Sequence, residues 1–160
     1  MDSVLTEAMK RLVREQRLGF VATVCPDGTP NLSPKGTTTV WDDEHLVFAD
    51  IDSAGTVENL RNNPAVEVNV VDPIARRGYR FKGRARVVTQ GGLFEEAIHF
   101  YRARGVQSPI RSVVMVQVLS AAPLLSPVYA SGATEDEVRE QWTAYWDSVR
   151  ERTPAPALGE

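Results

Sequence analysis

Asn31-Leu32-Ser33-Pro34-Lys35-Gly36-Thr37-Thr38-Thr39, answered downstream by Gly55-Thr56-Val57-Glu58-Asn59-Leu60, decides how the rest of the chain is read. The first run reads as a strand whose middle cannot be an ordinary core strand. Pro34 donates no ladder hydrogen bond and belongs at an edge or a bulge. Gly36 leaves the backbone uncovered, which often marks close approach of a ligand or of another backbone. Ser33, Lys35, Thr37 and Thr38 place donors around that gap. The second run reads as the first turn of a helix, with Ser53, Gly55 and Thr56 near its start. A helix start offers unpaired N–H groups and partial positive charge, so it holds phosphate well. Strand and helix start together are expected to grip one phosphorylated, planar cofactor.

Upstream, Leu5, Ala8, Met9, Leu12 and Val13 recur at helical spacing, and Gly19 lies past the end of that stripe. Phe20-Val21-Ala22-Thr23-Val24 is β-prone, and Pro26-Asp27-Gly28-Thr29 supplies turn chemistry, so residues 19–41 read as one hairpin. Leu46-Val47-Phe48-Ala49 is the next strand, and Asp50-Ile51-Asp52-Ser53-Ala54 leads into the helix of about residues 55–62. Asn63-Pro64 ends it, because the residue before proline is pushed out of the α region. Val66, Val68 and Val70 share one face of a fourth strand, with Glu67 and Asn69 on the other. The clearest alternation follows: Tyr79, Phe81, Gly83, Ala85 and Val87 against Arg80, Lys82, Arg84 and Arg86. Phe94, Ala97, Ile98 and Tyr101 mark another helix, and residues 113–119 a sixth strand. Val138, Trp142, Tyr145, Trp146 and Val149 line a C-terminal helix that opens on Thr134, with Glu137 three residues on. Hairpin-length links and the lack of a strand–helix–strand rhythm predict a mainly β fold, a small six-stranded antiparallel barrel with peripheral helices.

At 160 residues the chain is read as one domain over residues 1–150, with residues 151–160 as a flexible tail. A net charge of −3 gives no general reason to bind nucleic acid or an acidic membrane. The single cysteine, Cys25, excludes an internal disulfide and a Cys-rich metal site, and suits a reducing cytoplasm. No window approaches the ~20 apolar residues of a membrane span, and the first residues lack the pattern of a signal peptide.

The order of these pieces resembles the FMN-binding split-barrel family related to pyridoxamine 5′-phosphate oxidase, over roughly residues 5–120. The resemblance is carried by Phe20–Val24 with Asp27-Gly28-Thr29-Pro30, by Leu46–Asp50, by Thr56–Pro64 and by Tyr79–Ala85. It implies a homodimer with one FMN per subunit, bound in a cleft at the dimer interface, and a small-molecule substrate. It places the flavin along Ser33, Pro34, Lys35, Gly36, Thr37 and Thr38, bordered by Ala49, Asp50 and Ile51. Ser53, Gly55 and Thr56 would meet the phosphate, with Asn59 buttressing that turn. The family's oxidases carry basic residues where this chain has Ser33, Thr38, Gly55 and Thr56. Charge-assisted bonds are about twice as strong as neutral ones, so phosphate binding is expected to be weaker unless Lys35 or a strand arginine such as Arg80 substitutes. The oxidases' Arg-rich substrate segment is also missing, so pyridoxamine phosphate oxidation is not carried over. Deazaflavin, used by other branches of this fold, is the alternative cofactor, and a non-catalytic flavin carrier the alternative role.

The remaining signals have blander readings. The basic row Arg80/Lys82/Arg84/Arg86 fits a solvated face, a dimer seam or, least well, nucleic-acid contact, since Tyr79 and Phe81 fall on the opposite side. His45 and His99 lack metal-ligand spacing and read as surface residues. Trp142, Tyr145 and Trp146 read as anchors of the last helix on the barrel, or as a lid. No side chain is assigned a catalytic role.

Overall fold

The computed structural model describes residues 4–153. Its seven strands are β1 (Gly19–Val24), β2 (Pro30–Lys35), β3 (Thr39–Val40), β4 (His45–Asp50), β5 (Ala65–Asp72), β6 (Arg77–Val88) and β7 (Ser112–Leu125). Four α-helices accompany them, α1 (Glu7–Gln16), α2 (Ala54–Asn62), α3 (Gly92–Ala103) and α4 (Glu135–Arg152), with a short 3-10 helix at Pro127–Ser131. All strand pairings are antiparallel, in the order β2-β1-β5-β6-β7-β4-β3.

That order explains the barrel. β2 and β3 are consecutive in sequence yet lie at opposite edges of the sheet. Only Gly36, Thr37 and Thr38 join them, so the sheet must curl until its edges nearly meet. The expected single strand over residues 31–39 is therefore two strands, and the count rises from six to seven. The hairpin of β1 pairs only as far as Lys35, opposite Gly19. Beyond it, the Thr38 N–H turns back to the Lys35 carbonyl at 3.2 Å, and β3 pairs with β4 instead. Pro34 sits on an edge strand, where its missing donor is harmless.

Curling is helped by a bulge between β6 and β7. Lys82 pairs with Ser120 but Gly83 with Val118, which leaves Leu119 extra. Gly83 is required there, because a Cβ would lie 2.0 Å from the Gln117 carbonyl oxygen. β7 runs further than expected, through Pro123. This is possible because β4 pairs only with residues 112–117, so Pro123 has no second strand neighbour to supply.

Two apolar clusters fill the molecule. Inside the curl lie Val21, Phe48, Val68, Phe81, Val114 and neighbours, closed by Leu5 and Val13 of the α1 region and by Val57 and Leu60 of α2. Outside it, α3 lays Ala97 and Tyr101 over Val47, Ala49, Val113 and Met115. The capping box of Thr134 and Glu137 starts α4 as the spacing required. Only Val138 of that helix is buried, and the start is held by the Arg77–Glu135 and Arg139–Asp72 ion pairs. Arg76 stacks on Trp142, but Tyr145 and Trp146 remain 47% and 43% exposed, so they do not anchor the helix as expected. α4 continues through Arg152, two residues past the expected boundary, and residues 154–160 of the expected tail lie outside the described residues.

Candidate functional site

Lys35 is the residue that ties the two opening stretches together. It ends β2 with its side chain turned inward and is only 7% exposed. Its Nζ donates to Ser33 Oγ and to Ser53 Oγ, each at 2.8 Å. Strand and helix start therefore meet at one ammonium. Among the described residues it has no ion-pair partner within 4.0 Å. Burial pushes its pKa below the usual lysine range, and the fields of Asp50 and Asp52 only partly oppose this. A buried cation normally has a paired charge, so this one is short of an anion.

The start of α2 is equally bare. Ser53 precedes the helix, but no side chain caps the first turn and no acidic residue lies in it. The hydroxyl that would ordinarily cap is engaged by Lys35. The first turn thus presents uncapped N–H groups at Ala54, Gly55 and Thr56 beside the buried ammonium. An added Cβ at Gly55 or at Gly36 would meet nothing within 4 Å, so backbone is open at both ends of the site.

Neighbouring groups hold this arrangement in place. The carboxylate of the buried Asp50 accepts from the Ser53 N–H and from the Ser112 hydroxyl, each at 3.0 Å. It braces the loop onto β7. Thr38 is 2% exposed and donates its hydroxyl to the Lys35 carbonyl at 2.8 Å. Thr37 Oγ1 accepts from the Ala49 N–H at 2.9 Å, which fastens the seam to β4. The Tyr101 hydroxyl donates to the Thr37 carbonyl at 3.0 Å. Burial holds that phenol well above the usual tyrosine range, so it stays a neutral donor.

Other expected site residues lie elsewhere. Asn59 is buried, but its amide reaches Thr23 Oγ1 at 3.0 Å, so it ties α2 to β1 instead of buttressing the helix start. Ile51 packs on the outer cluster. Pro34 is exposed, on the face opposite Lys35. Arg80 is in register with Asn69, which pairs with Phe20, which pairs with Pro34. Three strand spacings, about 14 Å, separate Arg80 from β2. Its guanidinium pairs with Glu67 at 2.8 Å, so within this chain it is not brought to Lys35.

The structure also brings residues beyond the expected set to the seam, among them Trp41, Phe100 and three arginines. A cleft of about 500 Å³ opens on the far side of Gly36, lined by Thr37–Trp41, Phe100, Tyr101 and the arginines Arg14, Arg17 and Arg104. Among the described residues none of the three arginines has an ion-pair partner, and Arg104 stacks on Phe100 at 3.4 Å. A second depression places Arg111 beside Asp50 and Ala54. No local signal marked Trp41, Phe100 or the arginines Arg14, Arg17, Arg104 and Arg111, because the cleft forms only when α1, α3 and the seam converge.

A curled antiparallel sheet, split at a three-residue seam and flanked by an uncapped helix start, defines a mainly β split barrel. The family model described as pyridoxamine 5′-phosphate oxidase matches residues 5–121, and the chain belongs to that family. Among solved structures it is similar to Group A Streptococcus HupZ, at 33% identity over 76% of this chain and 94% of that one, with a TM-score of 0.69. An FMN-binding protein from Syntrophomonas wolfei shares the fold at 17% identity, covering 77% and 88% of the two chains, with a TM-score of 0.63. An F420 reductase shares it at 22% identity, covering 73% and 98%, with a TM-score of 0.59. No curated protein is matched.

Proposed function

We propose that the chain is an FMN-binding flavoprotein that acts as an oxidoreductase on a small molecule. The observation that carries this reading is the buried ammonium of Lys35, without an ion-pair partner among the described residues, beside the uncapped start of α2. A phosphate there would supply the missing negative charge and accept from Lys35, the Ser33 and Ser53 hydroxyls and the N–H groups of residues 54–56. The open backbone of Gly36, with Thr37 and Thr38 fixed beneath it, suits a planar ring. FMN, when bound, supplies the electron transfer, and the chain binds, orients and shields it.

The cleft beyond Gly36 supports an anionic small-molecule substrate, since Arg14, Arg17 and Arg104 face it without carboxylate partners among the described residues. A homodimer fits the outer face of β1, β2 and β5. There Leu18, Phe20, Leu32 and Val71 are exposed, and the buried Asn69 Oδ1 has no hydrogen-bond partner among the described residues. A second copy on that face would place the cofactor strand, including Pro34, at the interface.

One observation favours a second reading. The helix start offers neutral Gly55 and Thr56 and a single buried lysine, a light charge set for a phosphate dianion. A deazaflavin held through a phosphodiester carries less charge at that position. Competition between the two cofactors in calorimetry separates the readings: FMN is expected to bind with one equivalent per chain and to resist displacement. Loaded protein should then be reduced by a nicotinamide nucleotide and reoxidised by a small acceptor. A bound flavin silent to every donor would identify a carrier, and a chain that ignores both cofactors would remove the proposal.

A further inference from the structure

The four basic residues of β6 divide into two pairs with different fates. Arg80 and Lys82 share Glu67 at 2.8 and 3.6 Å. Arg84 and Arg86 have no ion-pair partner among the described residues. The antiparallel register sets Arg84 beside Gln117 of β7, and Gln117 beside His45 of β4. Guanidinium, amide and imidazole thus stand in one row across three adjacent strands, about 4.8 Å apart at the backbone. Arg86 follows two residues along β6 on the same face.

This row lines a cleft of about 440 Å³, walled by Trp41 and Leu93 with Met115 on its floor. His45 is held within it: its Nδ1 lies 2.8 and 3.0 Å from the two Asp42 carboxylate oxygens. Asp42 is itself fixed by the N–H groups of Glu44 and His45, each at 2.8 Å. Burial pushes the Asp42 carboxyl upward, but these bonds and the imidazole outweigh it and hold the group below the usual carboxylate range. The ionised carboxylate fixes the proton on Nδ1, which directs the other ring nitrogen away from Asp42.

We propose that this outer cleft is a second binding site, separate from the Lys35 site, which takes a phosphate monoester with a small apolar body. The phosphate oxygens accept from Arg84, Arg86 and the Gln117 amide, with His45 Nε2–H donating when the ring is protonated. Two guanidiniums on one strand face supply several fixed donors, more than a single carboxylate can use. The volume left beyond a phosphate lies against Trp41, Leu93 and Met115. Trp41 also lines the cleft beyond Gly36, so an occupant of the outer site touches a wall of the proposed substrate site.

The chain has only two histidines, His45 and His99, so their imidazole proton resonances report the site directly. Inorganic phosphate, titrated at constant ionic strength near pH 6.5, should shift the His45 signal saturably and leave His99 unmoved, with or without added FMN. His45→Gln assigns the peak. Arg84→Gln and Arg86→Gln should each weaken the response at least tenfold. Gln117→Glu, an exposed change that puts a carboxylate in the row, should abolish it. A His45 signal that ignores phosphate, that moves together with His99, that responds equally in the arginine variants, or that stops responding once FMN is added overturns the proposal.

Discussion

Replacing Lys35 by methionine separates the two things the lysine does. The stem length is kept, while the ammonium and its bonds to Ser33 and Ser53 are lost. In the free protein the ammonium is a cost, because burial outweighs the favourable fields of Asp50 and Asp52 and lowers the lysine pKa. A basic group with a depressed folded-state pKa destabilises the fold at pH values below that pKa. The penalty is relieved as pH rises from there toward the unfolded value of 10.5. Lys35→Met should therefore stabilise the free protein at pH 7 by on the order of 1 kcal/mol, a usual single-site scale, which raises Tm by about 2–4 °C. The gain should shrink as the pH is raised toward 10. For FMN the sign reverses. A hydrogen bond to a charged group contributes about 1.5–3 kcal/mol, so the variant should bind roughly ten- to a hundredfold more weakly. Thermal unfolding at several pH values and calorimetric titration measure both arms. A variant that is less stable at pH 7 and binds FMN as wild type does would refute the reasoning.

Gly36→Ala and Gly55→Ala place a methyl in space that this chain leaves open. Each should leave the free protein as stable or up to about 1 kcal/mol more so, yet weaken FMN binding, and unchanged affinity would show that no ligand approaches there. Gly19→Ala drives a Cβ to 2.7 Å from the buried Thr38 side chain. It should cost about 1–3 kcal/mol in denaturant unfolding and loosen the seam that Thr38 fastens to Lys35. Gly83→Ala meets backbone at the bulge and should cost about 3 kcal/mol or more, seen as loss of soluble folded protein.

Much of this architecture was legible in local pattern. The alternation of β6 assigned Phe81 and Ala85 inward, and Asn63-Pro64 ended α2 where the structure ends it. Pro34 read correctly as an edge residue because its missing N–H is a local fact. What failed was long-range. Nothing in Gly36-Thr37-Thr38 announces that three residues carry the chain from one edge of a seven-stranded sheet to the other. That closure buries Lys35 and brings Ser53 to it. His45 read as bland surface because its register partner Gln117, and Arg84 beyond it in the same row, lie 72 and 39 residues away. The aromatic stripe of α4 matched the helical period but not the packing, since Tyr145 and Trp146 remain 47% and 43% exposed.

A lysine without an ion-pair partner among the described residues sits beside an uncapped helix start, a pairing that suits a phosphate. Calorimetric comparison of FMN with riboflavin, which has the same ring and no phosphate, tests it most directly. FMN should bind at one equivalent per chain, with riboflavin on the order of a hundredfold weaker, a difference of about 2.7 kcal/mol. Equal affinity for the two, or no binding of either, would contradict the account.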